Sequence, residues 1–181
     1  MTALPLGWKP VFKAALTSAS VMAAGDALCQ SIRCRSANKP VQIDLKQTAR
    51  FGLIGLSLHG PYFYNSFRWI DKTLGPSATL VQAVKKTALG QVTVFPVYVA
   101  SFFSYMGLLE GLSLEQCREK VVKTAPPTLL SGLIWVPVNV VNFLFVPASA
   151  RVLYVNAIGL FWNAWLSYEN STKGQLTKTR N

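Results

Sequence analysis

Polar residues gather in the short connections of this chain and leave long stretches without charge. Asp, Glu, Lys and Arg are absent from 51–67, 87–109, 124–150 and 152–168, and the first apolar segment, 14–32, is interrupted only by Asp26. About 20 apolar helical residues cross a hydrocarbon layer about 30 Å thick, so these runs have the length of spans or near-spans. They lack the period-2 alternation of a membrane barrel, and backbone amides in lipid have to be satisfied within the segment, which selects helices. The pattern predicts an all-α integral membrane bundle of four to five hydrophobic helices, near 10–32, 45–68, 87–109, 128–146 and 148–168. Val146-Pro147 divides the last two, since proline lacks an amide donor and suits the first turn of a new helix. The final pair fits two crossings, or one crossing and a re-entrant or interfacial piece.

Within the apolar segments the polar residues form stripes. Gln91, Tyr98 and Tyr105 recur every seven positions with Ser101 between them, and Ser149, Asn156, Asn163 and Asn170 do the same further on. Ser131, Trp135, Asn139 and Asn142 are spaced by three and four, which places them on one helix face. Polar side chains at membrane depth turn toward the bundle interior. The stripes therefore fit interhelical hydrogen bonding first, with a hydrated pathway lined by Asp26, Gln30, Gln91, Tyr98, Asn139, Asn142, Asn156 and Asn163 as the sharper alternative. A carboxylate in hydrocarbon is expensive unless paired, protonated or hydrated. For Asp26 the partners expected are Arg50 or Arg151, each at the edge of an apolar run; in a pore, Asp26 would set a cation preference. Small residues allow close helix approach: Ala15, Ala19 and Ala23 form one row, Gly52, Gly55 and Gly60 thin the second helix, and Gly107 and Gly111 form a GxxxG at the end of a span.

Composition agrees with the membrane reading. The chain has 181 residues, of which 51% are hydrophobic and only 14% charged, against about 25% charged in soluble domains. Mean hydropathy is +0.31. Eighteen Lys and Arg against seven Asp and Glu give a net charge of +11. Because the cations sit between apolar runs and no RNA-binding motif accompanies them, the partners expected are anionic lipid headgroups at the Lys and Arg loops, with no nucleic acid. Cations occur on both sides of the spans, so the positive-inside count assigns no orientation. The start is basic and free of acid before Asp26, with Lys9 and Lys13 forming an amphipathic lead-in, and 171–181 is a polar, basic tail.

Little chemistry is on offer. Cys29, Cys34 and Cys117 form no C-x-x-C pair, and His59 is the sole histidine, so no metal site, cofactor site or catalytic triad is expected. Walker A, GxGxxG, HExxH and GxSxG motifs are absent, and the chain is not expected to be an enzyme.

Gly25-Asp26 with Gln30, Arg50 through Gly60-Pro61, Lys86 through Gln91 to Pro96, Trp135 through Asn142-Phe143, Val146-Pro147 with Arg151, and Trp162-Asn163 before Leu166-Ser167 follow one another in a recognisable order and spacing. In these residues the chain resembles the Mpv-seventeen family of 22-kilodalton peroxisomal membrane proteins over nearly its whole length. The resemblance implies a small helical protein of the mitochondrial inner membrane or, as the alternative, the peroxisomal membrane, with four spans and a role in channel-like solute passage or metabolite homeostasis. It also admits a different class, a non-conducting accessory subunit of a larger inner-membrane assembly such as a respiratory complex; the assembly expected is a homo-oligomer or that larger complex. Where the family has an aromatic pair, Asp-Gln, Trp-Pro and Gln, this chain has Ser66-Phe67, Gly90-Gln91, Trp135-Val136-Pro137 and Asn139. These departures fall on positions that would line a pore. The acid-free start favours the mitochondrial inner membrane.

Overall fold

The computed structural model describes residues 8–36, 40–76, 79–160 and 162, and among these the structure is helical with no strand. Helix α1 is Trp8–Ser36. Helix α2 runs over 45–74, opening at Asp44, whose side chain accepts the Gln47 amide at 3.0 Å, and stopping at Gly75, where φ is +71°. Helix α3, Leu80–Leu109, opens at Thr79, which accepts the Gln82 amide. Helix α4, Leu114–Phe145, opens on a capping box between Ser113 and Gln116. Val146 is extended, Pro147 follows, and α5 is Arg151–Leu160. At 1.5 Å per residue, α3 and α4 are each about 45–48 Å long, enough to cross a bilayer at a tilt.

Several expected boundaries move: the helix placed at 10–32 covers Trp8–Ser36, the one placed at 45–68 runs on to Leu74, and two others start much earlier. The helix placed at 87–109 begins at Leu80, and the one placed at 128–146 begins at Leu114. Charge-free length was the wrong measure for 114–127. That segment is an amphipathic turn-by-turn continuation, with Cys117, Lys120, Thr124 and Thr128 buried at helical spacing while Arg118, Glu119 and Lys123 stay outside. Pro126 and Pro127 lie inside it. The donors they lack would have met the carbonyls of Val122 and Lys123, both residues lying on the exposed side.

Both α2 and α3 contain one wide turn. In α2 the π-helical turn Gly55–His59 precedes Gly60-Pro61; in α3 the π-helical turn Gly90–Val94 precedes Phe95-Pro96. The pyrrolidine ring clashes with the carbonyl four residues back and offers it no hydrogen bond, and an i→i+5 turn relieves both faults. His59 and Gln91 stand in these widened turns.

α1 packs along α2 through small residues. A Cβ added at Gly52 would sit 3.6 Å from Ala23 Cβ, whereas one at Gly55 would lie 2.6 Å from Ala19 Cα and one at Gly60 2.5 Å from Ala15 Cα. The two rows seen in the sequence are thus one antiparallel seam, 23 with 52, 19 with 55 and 15 with 60. Gly107 instead packs within the α3–α4 hairpin, against Cys117 Sγ, and Gly111 takes φ +81° in its turn. Inside, Phe51, Phe102, Phe103, Tyr98 and Met106 form one apolar cluster, and Tyr64, Phe67, Ile70 and Phe143 another. Outside, Trp8, Phe12, Leu53, Val92, Leu130, Ile134 and Phe145 are exposed, an apolar coat suited to lipid.

The seam makes an asymmetric prediction. Gly55→Ala forces backbone apart and should cost about 1–3 kcal/mol, the range for overpacking, while Gly52→Ala has ordinary contact distance and should leave stability unchanged. Thermal unfolding of the two variants in detergent, followed by size-exclusion chromatography, checks this.

Candidate functional site

A cavity of about 50 Å³ lies within the bundle between α2, α3, α4 and α5. His59 and Phe63 of α2, Thr87, Gln91 and Tyr98 of α3, and Trp135, Asn139 and Phe143 of α4 are among its walls. The two wide turns face it: His59 comes from one and Gln91 from the other. His59 Nδ1 and Tyr98 Oη share a hydrogen bond of 2.7 Å, and Gln91 Nε2 donates to the Gly132 carbonyl at 3.4 Å. Thr87 Oγ1 and Asn139 Oδ1 are buried without a hydrogen-bond partner, as are both polar atoms of the fully buried Asn142 nearby in α4. Leaving such a group unsatisfied costs about 1–3 kcal/mol, so this concentration of open valences marks a place built for something polar.

Of the stripe residues expected to meet, Gln91, Tyr98 and Asn139 do so around the cavity. Asn156 goes elsewhere: it lies against α1, where Ser18 Oγ donates to its Oδ1 at 3.2 Å and its Nδ2 donates back at 3.1 Å. Tyr105 reaches an outer groove, accepting from Ser57 Oγ at 3.2 Å. Asn163 lies outside the described residues. Thr87 and His59 were not singled out for the cavity; the wide turns that aim His59 inward are signalled only by Gly60-Pro61 and Phe95-Pro96.

Asp26 is fully buried, and the donors that meet its carboxylate include Gln30, Gln47 and Thr48, where the sequence suggests an arginine. Gln47 Nε2 donates to Oδ1 at 2.5 Å; Thr48 Oγ1 and Gln30 Nε2 donate to Oδ2 at 2.6 and 2.7 Å. Gln30 Oε1 also accepts the Asp44 amide at 2.6 Å. This latch fastens the end of α1 to the first turn of α2. Arg50 is half-buried on α2 and forms no ion pair with Asp26, because the carboxylate faces the Gln47-Thr48 edge of that turn.

Arg151 is committed to a different acid. Its Nη1 donates to Asp71 Oδ2 at 2.6 Å and its Nε to the Val146 carbonyl at 3.2 Å, while Lys86 Nζ meets Asp71 Oδ1 at 2.5 Å. Lys86 is 0% and Arg151 5% exposed. Both cations lie over the ring of Phe143, 5.7 and 5.0 Å from its centroid, and Phe143 packs edge-on against Phe67 at 5.6 Å. The cluster ties α2, α3 and α5 together. Asp71 carried a signal in the sequence, being the sole acid between Asp44 and Glu110. A second buried pair, Lys120 Nζ with Glu110 Oε2 at 2.7 Å, closes the α3–α4 hairpin.

The profile of the Mpv17 / PMP22 family matches residues 107–167. A "PXMP2/4 family protein 4" of Dictyostelium discoideum is 34% identical over 164 residues, 90% of this chain and 88% of its own. The chain belongs to the Mpv17 / PMP22 family. Two further relatives are a "Peroxisomal membrane protein 2" of Bos taurus, 30% identical with 87% of this chain and 82% of its own covered, and a "Mitochondrial inner membrane protein Mpv17" of Danio rerio, 29% identical with 85% and 86% covered. No solved structure matches. Membership makes the chain an organellar membrane protein, and these names print the two locations expected from the sequence, the mitochondrial inner membrane and the peroxisome. The profile match spans all of α4 and the described part of α5, and so includes Asn139, Asn142, Arg151 and Asn156.

The latch predicts that Asp26→Asn, which turns an amide N–H toward at least one existing donor, destabilises by about 1–3 kcal/mol. Arg50→Gln should leave the melting temperature within error. Parallel thermal unfolding in detergent distinguishes this order from an Asp26–Arg50 ion pair, in which both variants would be damaging.

Proposed function

We propose that this Mpv17 / PMP22 protein provides a channel-like passage for small solutes across the mitochondrial inner membrane, with the cavity between α2 and α5 as its hydrated waist. The observation that carries this reading is the set of buried, unpartnered polar atoms on and beside the cavity wall, Thr87 Oγ1, Asn139 Oδ1 and the Asn142 amide. A bundle held only by interhelical hydrogen bonds would pair these groups with one another, as it pairs Ser18 with Asn156. A volume of about 50 Å³ has room for a few water molecules, each of which needs about 10–15 Å³ on the same measure. The wide turns, found elsewhere at functional positions of helices, hold the walls apart. Exposed Arg35, Lys46, Lys72, Lys85, Arg118 and Lys123 supply contacts for anionic headgroups at the helix ends.

A second reading, a non-conducting accessory subunit, is favoured by the apolar coat, where Leu114, Leu130, Val92 and Phe145 are each more than two-thirds exposed and would suit neighbouring subunits as well as lipid. Native gel electrophoresis of mildly solubilised membranes separates the two: migration as a small homo-oligomer supports the passage, and stoichiometric migration within a large complex supports the subunit. Planar-bilayer recording then tests conduction. The double variant Thr87→Val/Asn139→Leu makes the wall apolar and removes hydrogen bonds from whatever passes. Conductance should fall by about tenfold or more, since about 1.4 kcal/mol on a barrier is tenfold in rate, while the melting temperature holds or rises. A silent wild-type protein would overturn the passage.

A further inference from the structure

Phe143 joins the cavity to the strongest charges inside the bundle. Its ring lines the cavity, and the Lys86 ammonium and Arg151 guanidinium lie over that same ring. Both cations are anchored on the single carboxylate of Asp71, which leaves the cluster one positive charge in excess. Lys86 and Arg151 are shielded from water, so their field is screened far less than that of exposed charges. Among the described residues, no acid stands on the cavity wall to oppose it. The fully buried carboxylate of Asp26 belongs to the latch between α1 and α2. Thr87, the neighbour of Lys86 in the chain, offers an unpartnered hydroxyl to the cavity, and Asn142, the neighbour of Phe143, has an amide with no partner on either atom. Hydroxyl and amide N–H groups are what an anion accepts from once it sheds water.

We propose that the passage selects small anions and that Lys86 and Arg151 set the preference. The inference rests on the channel reading above and reverses the ion preference expected from Asp26. Lys and Arg at a constriction favour anions as rings of acid favour cations. Asp71 moderates the site, because conduction needs an ion to be held weakly enough to leave. A cavity of about 50 Å³ restricts the class to inorganic or single-carboxylate anions.

Planar-bilayer recording of the purified full chain under a potassium chloride gradient reads this directly. The reversal potential should lie on the chloride side of zero. Replacing potassium by tetraethylammonium should leave most of the current, and replacing chloride by a bulky organic sulfonate should remove most of it. Lys86→Gln, which leaves Asp71 paired with Arg151 at net zero, should move the reversal potential toward zero; Asp71→Asn should move it further to the chloride side, and Lys86→Arg should keep the wild-type value. A wild-type reversal potential on the potassium side overturns anion selection and leaves the channel standing, and so does current lost with potassium but kept without chloride. Those wild-type measurements decide the matter even if a variant fails to fold. Silence of the wild type in every salt overturns both.

Discussion

The carboxylate of Asp71 holds three helices at one end of the bundle, and the positions of the remaining groups follow from it. Its two oxygens face in different directions, one taking Lys86 from α3 and the other Arg151 from the start of α5. Phe143 of α4 lies beneath both cations, so the fourth helix is gathered in through its π-face. Buried charges are costly to desolvate, and two cations sharing one acid and one ring are kept only where geometry supplies most of what water gave up. With these helix ends fixed, the wall formed by Phe67, Thr87 and Phe143 is fixed too.

At the opposite end the same constraint is met with neutral donors. Asp26 receives two amides and a hydroxyl, and Gln30 turns its other atom to the Asp44 backbone. Between the two ends, α1 and α2 touch through alanine and glycine, while α2 and α3 are each opened by a proline-induced wide turn. The cavity is the outcome of these opposed tendencies: backbones drawn together on one side of α2 and helical walls held apart on the other.

Much of this was legible from the chain. The helical class, the break at Val146-Pro147, the Ala and Gly rows and the convergence of Gln91, Tyr98 and Asn139 all follow from spacing. What spacing could not reveal was pairing. Asp26 looked short of a cation because its nearest suitable donors, Gln47 and Thr48, are neutral and lie across a turn; Arg151 looked free because Asp71 is far from it in sequence. The 114–127 helix was hidden by its charges, since Lys120 is buried against Glu110 instead of lying in a loop. Thr87 gave no sign of being unpartnered, a property of three-dimensional surroundings alone.

The α1–α2 seam bears on how the protein is made. Ala15, Ala19, Ala23, Gly52, Gly55 and Gly60 have no rotamers to lose, so zipping the two helices together carries almost no side-chain entropy cost. The latch lies next to the connection between them and joins Asp26 and Gln30 of the first helix to Asp44, Gln47 and Thr48 at the start of the second. The first hairpin can therefore close as soon as its second arm has left the insertion machinery, before α3 exists, and offer the later helices a rigid template against which to assemble.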